Sequence, residues 1–570
     1  MTNEKLPTIQ EKYESFDEKS ESSLGEIYLN ESPTSGKKTN RLVAAIDFGT
    51  TYSGYAFAFE NDYTGEEDPQ KSIHANEWRS STGVSTNNKT LTTVLFDPDG
   101  NFHSFGYDAE NNYAEIVENE EKDHTKWYCF KRFKMKLHDQ MRGFELEDEN
   151  GHIMPAKKIF SASIKFLKDD LRKTLEARNP GFGDPSLWVL TVPAIWDEPA
   201  KQFMRECAEE AGLGNNMILA LEPESAAIYC KTLSNGSFVG SSDQDINNCF
   251  MPGGMYMVLD LGGGTVDTAV HGYQRNHKAC GGAWGGITVD ENFHEHIRKL
   301  FGDNVVPELK SKHPSEWHEF LKRFDERKKQ VSYSNKRKVK IEVPRKLEIV
   351  SRTFGSVSDL TKYKTNLNIS DENMKKIFQS PAEKIEHHVR DILAKFPKLQ
   401  TDFHGWWEYF REKFTERRII VPLNARIAVL KGAVIIGFNE LTRLENQKNG
   451  VKTLFEVQER ICRWTYGVRV NTPFIEGKHL EKYSVFVDGE KKCANIFDVF
   501  VKEGESVALF DERTDKLESS HKEKNRRHID IHFPVFAVKG DIPTYTTNER
   551  CKYLGEIVVK TARRRLARKK

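Results

Sequence analysis

Long apolar stretches are missing from this chain. Its 570 residues contain no uninterrupted apolar run that approaches the ~20 residues needed to cross a membrane. The N-terminus, Met1-Thr2-Asn3-Glu4-Lys5, also lacks the apolar core of a secretory signal. We therefore expect neither a transmembrane segment nor secretion.

Closely spaced cysteines and net charge are missing as well. The eight cysteines are scattered and none forms a Cys-x-x-Cys pair, which argues against zinc binding and thioredoxin-like chemistry. Because 85 basic residues balance 85 acidic residues, bulk charge predicts no nucleic-acid partner. We expect a soluble protein of a reducing compartment, the cytoplasm, with the nucleus as the alternative.

Changes in composition divide the chain. Residues 1–40 are rich in Glu, Ser and Lys, have little to bury, and predict a disordered tail. From Leu42 to about Phe438, strand-like and helical patterns alternate, which indicates an α/β layered fold. Later segments alternate apolar and polar residues, which predicts a half-exposed antiparallel sheet. The expected segments are a linker at 441–460, with a short helix as the alternative, a β-rich domain at 461–560 and a basic tail at 561–570. The tail is either solvated or has a nuclear-import or polyanion-binding role.

Two short segments carry the same pattern. They read Val43-Ala44-Ala45-Ile46-Asp47-Phe48-Gly49-Thr50-Thr51 and Tyr256-Met257-Val258-Leu259-Asp260-Leu261-Gly262-Gly263-Gly264-Thr265. In each, a buried strand brings Asp to its end, glycines let backbone N–H groups face an anion, and Thr adds a hydroxyl. Residues 47–52 are named the first loop here and residues 260–265 the second loop. Two matching loops predict a duplicated fold that closes on one nucleotide from both sides.

The loops contain the predicted ligands of phosphate and metal. A carboxylate at a strand end beside a phosphate loop holds Mg²⁺, usually through water. Asp47, Asp260 and Asp267 are therefore the predicted metal-ligating residues, with turn capping as the alternative. The predicted phosphate ligands are Gly49, Thr50, Thr51, Tyr52, Gly262, Gly263, Gly264 and Thr265. For the threonines, β-strand propensity is the alternative reason.

These motifs resemble the two phosphate motifs of the seventy-kilodalton heat-shock chaperones. Between them, Thr191-Val192-Pro193-Ala194 and Leu221-Glu222-Pro223-Glu224-Ser225-Ala226-Ala227 resemble the first connecting segment of that family. The resemblance is strongest to the atypical twelve A and twelve B branch, which shares Val192-Pro193-Ala194-Ile195-Trp196 and Thr465-Tyr466-Gly467-Val468. It covers about residues 41–560.

The resemblance implies an actin- and hexokinase-like fold of two lobes, each built on a ribonuclease-H-like sheet. ATP or ADP would lie in the cleft with Mg²⁺. The nucleotide-binding domain would span 41–440, with lobes at 41–235 plus 416–440 and at 252–415. The β-rich domain would correspond to the substrate-binding domain of the family, and we expect no helical lid after it.

The resemblance also assigns roles to single residues. Lys131 matches the catalytic lysine of the family, which positions the attacking water and the γ-phosphate. Glu222 matches a carboxylate of the family that holds Mg²⁺ and its water shell. Lys131, Glu222 and Asp260 together form the predicted catalytic set. Further predicted nucleotide contacts are Gly285, Gly286, Lys328, Lys329 and Ser332. For Lys131 the alternative is a solvated basic face, and for Glu222 it is an ordinary acid before a helix. For the two glycines it is a plain turn, and for the last three residues it is a soluble lysine-rich helix.

The sequence departs from the family pattern after a helix that we predict to begin at Ser380-Pro381. The family has a buried strand and a Gly-Gly turn there, which close over the adenine and ribose. This chain reads Pro397-Lys398-Leu399-Gln400-Thr401-Asp402-Phe403-His404-Gly405-Trp406-Trp407 instead. We therefore expect a strand and a turn to be lost, which would weaken adenosine contacts and spare the phosphate end.

Three functions follow from these observations. The first is an ATP-binding, chaperone-like protein with weak or absent ATP hydrolysis, which acts on client or regulatory proteins and captures peptides. The second is a nucleotide-independent adaptor with a degenerate cleft. The third and least favoured is a small-molecule kinase of the same superfold, such as a sugar kinase. That enzyme needs an Asp base aimed at its substrate, and no such signature lies between the two loops.

Overall fold

The structure is a computed structural model in which two compact units are described. Among the described residues, one unit comprises those within 41–272 and 279–448, and the other comprises those within 275–278 and 459–562. The described residues are 41–562 without 66–68, 80–85, 120–122, 140–143, 149, 179, 182, 234–236, 240–254, 273–274, 329–330, 332–337, 354–365, 397–399, 404–406, 416, 418, 449–458, 488 and 509–527. The predictions for the N-terminal tail and for 563–570 of the basic tail lie outside them. Within these ranges, no helix is both long and apolar enough to cross a membrane.

The first sheet of the larger unit positions the first loop. Its strand Leu42–Phe48 is buried at every position. That strand runs antiparallel to Tyr52–Phe59 and parallel to Leu187–Val192, which runs parallel to Met217–Leu221. Asp47 thus lies at the carboxyl end of a central strand, where the chain turns.

The second sheet of the same unit positions the second loop by the same pattern of pairing. Met255–Leu261 runs antiparallel to Val266–Gly272 on one side. On its other side it runs parallel to Gln400–Phe403, which runs parallel to Ile419–Pro422. Each loop therefore joins two antiparallel strands, the first of which has a parallel neighbour.

The strand Gln400–Phe403 shows that the expected loss of a strand is wrong. Its backbone pairs with Met255–Leu261 on one side and with Ile419–Pro422 on the other. The sequence hid this strand because Gln-Thr-Asp-Phe lacks an apolar run, whereas the ladder is formed by backbone groups. The helix Trp407–Lys413 follows it. The expected loss of the Gly-Gly turn falls on residues 404–406, which lie outside the described residues.

The long helix before this strand begins earlier than predicted. It spans Asp371–Lys395, and its N-cap is Ser370, whose hydroxyl accepts a hydrogen bond from Asn373 N at 3.2 Å. Pro381 lies inside it. The prediction placed the start at Pro381 because proline favours a first turn, but the apolar stripe continues upstream to Met374, which is buried.

Another long helix, Ala428–Lys448, packs on the first sheet. Leu430, Val434 and Phe438 are buried against that sheet. The helix continues through Leu441, which is fully buried, into the segment predicted as a linker or a short helix. It crosses the helix Glu222–Lys231 closely, because a Cβ on Gly432 would lie 1.8 Å from Ser225 O. This close crossing fixes the position of the helix that begins at Glu222.

The remaining elements of the larger unit surround the two sheets. The other helices are Glu60–Gly65, Tyr107–Glu118, Ala156–Arg178, Glu198–Glu210, Gly286–Phe301, Val305–Lys312, Pro314–Lys328 and Arg345–Thr353. Short 3₁₀ helices are Pro69–Ser72, His124–Lys126, Phe133–Asp139 and Ala425–Ile427. The other strands are His74–Ala75, Trp78–Arg79, Thr86–Asn87, Thr90–Leu91, Thr93–Phe96, Phe102–Phe105, Tyr128–Lys131, Glu145–Glu147, Ile153–Pro155, Phe238–Val239, Val339–Glu342 and Asn366–Ile369. The strand Arg275–Gly282 contributes residues to both units.

The smaller unit contains a five-stranded antiparallel sheet, so the prediction of such a sheet is confirmed. Its strands, in spatial order, are Ser484–Val487, Glu490–Val501, Thr465–Pro473, His528–Val538 and Lys552–Ala562. Strands Glu459–Ile461 and Ser506–Ala508 and the 3₁₀ helix Glu481–Tyr483 also belong to this unit. Phe497, Phe536 and Val538 form its apolar cluster.

Candidate functional site

A cavity of about 450 Å³ in the larger unit has both loops in its wall. The lining residues of the first loop are Asp47, Gly49, Thr50, Thr51 and Tyr52, and those of the second are Asp260, Leu261, Gly262, Gly263, Gly264 and Thr265. The other lining residues are Asn87, Asn88, Lys89, Lys134, Glu222, Ala425, Arg426, Ile427 and Val429. The structure thus brings all the loop residues predicted to bind phosphate to one place.

The two loops pack directly against each other. A Cβ on Gly263 would lie 2.1 Å from Thr51 Oγ1, and a Cβ on Gly264 would lie 2.8 Å from Thr50 Oγ1. These distances are far below van der Waals contact, so any side chain here would push the loops apart. The hydroxyl of Thr51 is buried and has no hydrogen-bond partner among the described residues. It is a donor available to a ligand.

Asp47, the first residue of the first loop, is a buried carboxylate that is held in its charged form. Its residue is 3% exposed. Lys89 forms an ion pair with Asp47 Oδ2, and Thr191 Oγ1 donates a hydrogen bond to Oδ1 at 2.9 Å. Burial acts to raise the pKa of Asp47, but Lys89 outweighs burial and holds that pKa below its usual value.

Glu222 and Lys134 form a buried ion pair beside the loops. Glu222 is the first residue of the helix Glu222–Lys231, with Pro223 following it in the first turn. Lys134 Nζ donates a hydrogen bond to Glu222 Oε1 at 2.8 Å, and both side chains are buried. Burial raises the pKa of Glu222 to about 8, opposed by Lys134 and reinforced by the charges of the neighbouring aspartates.

Asp260 and Asp267 face each other across the antiparallel pair that flanks the second loop. Desolvation, followed by the charge of Asp267, raises the pKa of Asp260 to about 7. Burial also raises the pKa of Asp267, although Ile195 N donates a hydrogen bond to its Oδ1 at 3.2 Å. The second oxygen of Asp267 is buried without a hydrogen-bond partner among the described residues. Like charges directly opposite each other are unfavourable, so this pair favours a nearby cation.

These carboxylates fit Mg²⁺ held through water. Asp47, Glu222, Asp260 and Asp267 outnumber Lys89 and Lys134, the lysines that pair with them. Over the part of the chain that the structure describes, no three acidic, His or Cys side chains converge closely enough to hold a metal directly. Mg²⁺ keeps several waters and uses one or two carboxylates plus phosphate oxygens, which suits such an arrangement.

Lys131, the lysine assigned to catalysis by the resemblance, is not among the residues that line the cavity. It ends the strand Tyr128–Lys131, and its Nζ lies 4.0 Å from Glu110 Oε1. Lys134, on the 3₁₀ helix Phe133–Asp139, lines the cavity instead. Sequence reasoning missed Lys134 because several cations follow one another here, and only the local 3₁₀ turn decides which one faces the loops.

Gly285 and Gly286 hold the second loop by backbone hydrogen bonds and are not among the residues that line the cavity. Gly285 N donates to Gly264 O at 3.0 Å, and Gly286 N donates to Gly262 O at 3.2 Å. A Cβ on Gly285 would lie 2.6 Å from Gly262 O, so a side chain would displace the loop. The predicted need for glycine therefore has a physical reason, although these residues position the loop and do not line its cavity.

Lys328 lies in a network of polar contacts that joins the helices Gly286–Phe301 and Pro314–Lys328 to the start of the strand Tyr52–Phe59. Its Nζ lies 2.5 Å from Asp290 Oδ1 and 2.9 Å from Asp325 Oδ1. Arg132 lies 2.9 Å from Asp290, and Tyr52 OH donates to Asp325 Oδ2 at 2.9 Å. The positive charge of Lys328 is thus neutralised by two acids. Lys329 and Ser332, the other predicted adenosine contacts, lie outside the described residues.

Several known proteins are similar to this chain in sequence. Heat shock 70 kDa protein 12A of Mus musculus is 30% identical, over 84% of this chain and 79% of its own length. Heat shock 70 kDa protein 12B of Homo sapiens is 30% identical, over 83% of this chain and 77% of its own length. A chaperone protein HscA homolog of Neisseria meningitidis is 27% identical, over 47% of this chain and 39% of its own length. No protein-family model matches the chain.

The described fold is mixed α/β, with two loops of one pattern that meet in a single cavity. With relatives of 30% identity over most of its length, the chain belongs to the heat shock protein 70 family, in the atypical branch of the 12A and 12B proteins.

Proposed function

We propose that this chain binds ATP or ADP with Mg²⁺ in the cavity between its two loops and acts as a chaperone-like protein. The observation that carries the proposal is the meeting of both loops over buried carboxylates, with the Thr51 hydroxyl and Asp267 Oδ2 left without partners. One relative, the HscA homolog, is named a chaperone protein, which supports a chaperone-like function for this chain. We also propose the duplicated actin- and hexokinase-like architecture, with the lobe boundaries given by the resemblance.

The residues of the cavity divide into two groups by their chemistry. The hydroxyls of Thr50, Thr51 and Thr265 and the N–H groups of the glycines are suited to phosphate oxygens. The carboxylates are suited to orienting the water shell of Mg²⁺, which supplies charge neutralisation to the phosphates when it is bound. Lys134 takes over the role that the resemblance gave to Lys131, because its ammonium lies inside the cavity and next to Glu222.

We propose weak or absent hydrolysis and weak adenosine contacts. The charge of Lys328 is already matched by Asp290 and Asp325, so moving it to a nucleotide would cost those ion pairs. Lys134 Nζ is engaged by Glu222 Oε1 at 2.8 Å, so neither group can act on the terminal phosphate or on an attacking water without giving up this ion pair.

The partners in this proposal are client or regulatory proteins. The described sheet of the smaller unit ends in the strands Ser484–Val487 and Lys552–Ala562. Edge strands of this kind accept extended peptides by strand addition. We propose peptide capture by this unit on that ground.

Calorimetric titration with Mg²⁺–ATP tests the nucleotide proposal. The wild type is expected to bind, and the double variant Asp47→Asn/Thr265→Ala is expected to lose binding. A matched control is Asp184→Asn/Thr353→Ala, which makes the same chemical changes at exposed positions. Equal binding by the wild type and Asp47→Asn/Thr265→Ala would refute the site. A wild type that binds neither ATP nor ADP at high micromolar concentration would favour the nucleotide-independent adaptor.

A further inference from the structure

Lys89 is a cation of the cavity that no sequence motif signals. It directly precedes the short strand Thr90–Leu91, which pairs with Tyr52–Phe59 of the first sheet. From there its ammonium reaches the first loop and forms the ion pair with Asp47 Oδ2. Its side chain is 21% exposed, so it borders the open space of the cavity.

Gly54 makes room for this lysine. In the antiparallel ladder, Gly54 lies directly opposite Asp47. A Cβ on Gly54 would lie 2.8 Å from Asn88 O and 3.1 Å from Lys89 Cγ. Glycine within a strand often marks such a close approach by another segment of backbone. The missing side chain at Gly54 therefore lets the segment before Thr90 cross the strand and bring Lys89 to Asp47.

The two lysines of the cavity differ in their freedom to turn towards a ligand. The Lys134 side chain is 2% exposed and is held by Glu222. Lys89 is the more exposed, and its partner Asp47 is one of the three carboxylates expected to hold Mg²⁺ through water. The ammonium of Lys89 therefore occupies a position on Asp47 that a hydrated cation would otherwise take.

We propose that Lys89 is a phosphate-binding residue, which turns from Asp47 to the terminal phosphate of the nucleotide and supplies part of the charge neutralisation otherwise left to Mg²⁺. The inference rests on the proposed nucleotide binding and adds a named cation to it. In a partly desolvated site, an ammonium that has turned to a phosphate makes a charge-assisted hydrogen bond to its oxygen. The chain should therefore retain measurable affinity for nucleotide without Mg²⁺.

Affinity for ATP, ADP and adenosine, measured with Mg²⁺ and again with a chelator, tests this inference. Lys89→Met should lower the affinity for ATP without Mg²⁺ by roughly ten- to a hundredfold, the loss expected for one charge-assisted contact. Its loss with Mg²⁺ should be smaller, and its affinity for adenosine should be unchanged. Lys89→Arg should keep most of the Mg²⁺-free affinity because it keeps the charge.

Two further variants test whether the position of the Lys89 ammonium matters and whether the effect is specific to this lysine. Gly54→Ala keeps Lys89 but pushes its segment away from Asp47, so it should lose Mg²⁺-free affinity as Lys89→Met does. Lys136→Met removes an exposed lysine that does not line the cavity, so this control should behave as wild type. The melting temperature of each nucleotide-free variant shows whether it folds, and Lys89→Gln replaces Lys89→Met if the latter does not.

The outcomes distinguish this inference from the function on which it rests. Unchanged affinity of Lys89→Met for Mg²⁺-free ATP would overturn the role of Lys89 while leaving nucleotide binding intact. An equal loss for ATP and adenosine would also overturn it, because a phosphate contact cannot act on adenosine. A wild type that binds no nucleotide under either condition would overturn both.

Discussion

The buried pair of Lys134 and Glu222 gives a stability prediction that follows directly from the geometry. Lys134→Met removes the ammonium that lies 2.8 Å from Glu222 Oε1 and keeps a side chain of similar length. The carboxyl of Glu222 then loses its partner, while Asp47, Asp260 and Asp267 continue to repel it. We expect the variant to be less stable than wild type in the absence of nucleotide.

The size of the effect depends on pH. Removing one partner of a buried ion pair costs about 3–5 kcal/mol when the remaining charge stays buried. With Lys134 present, burial raises the pKa of Glu222 to about 8, and without Lys134 that pKa lies higher still. At pH 6 the carboxyl is protonated in both proteins, so we expect a small loss there, and a loss that grows above pH 8 towards a limit of about 3–5 kcal/mol.

Chemical denaturation at pH 6 and at about pH 9 measures this difference. The double variant Lys134→Met/Glu222→Gln carries a neutral amide where the unpaired acid would be, so it should regain a substantial part of the stability that Lys134→Met loses at the higher pH. Glu222→Gln alone completes the double-mutant cycle. A loss that is the same at both pH values, or strict additivity of the two single variants, would show that the effect is one of packing and not of charge.

Three further predictions follow from the same cavity. Without nucleotide, Glu222 and Asp260 should lower stability as pH rises from about 4 to about 8, because their pKa values are raised to about 8 and about 7 in the folded state. His74, His294 and His296, whose pKa values burial lowers, act in the opposite direction up to about pH 6.5. Glu222→Gln should therefore lose less stability over this window than wild type, and an identical pH series of unfolding free energies for the two proteins would contradict it. Gly432→Ala should destabilise by about 1–3 kcal/mol or more, since its Cβ would meet Ser225 O at 1.8 Å, and a wild-type melting temperature would refute the close crossing of the two helices. Lys131→Met should weaken Mg²⁺–ATP far less than Lys134→Met, and equal losses would restore the sequence-based assignment.

The two loops could be predicted because their signal is local. An apolar run that ends in Asp and breaks into Gly and Thr specifies strand, turn and ligand within ten residues or so. The structure adds what the pattern could not contain, namely that Gly263 and Thr51 touch. That contact depends on the folding of two distant segments.

The lysines of the cavity show where sequence reasoning ends. Lys131 fits the family motif by position, but the strand that it ends turns it towards Glu110, and the following 3₁₀ turn brings Lys134 to the cavity. Lys89 has no local pattern at all, because its role arises from a cross-strand glycine. Such placements are set by tertiary contacts that spacing along the chain does not encode.

The strand Gln400–Phe403 illustrates the same limit for the fold. A search for apolar runs passes over it, because Gln, Thr and Asp are typical of exposed segments. Its two parallel neighbours nevertheless need backbone partners, and this segment supplies them. The need for a strand between Met255–Leu261 and Ile419–Pro422 comes from the sheet as a whole.

The central claim is that both loops bind the same nucleotide. Calorimetric titration of Mg²⁺–ATP into the wild type, Thr51→Ala and Thr265→Ala tests it, since each variant changes one loop only. The account predicts one nucleotide per chain and a weakening of that same binding event by either variant. Two independent binding events, or affinity that responds to neither loop, would contradict it.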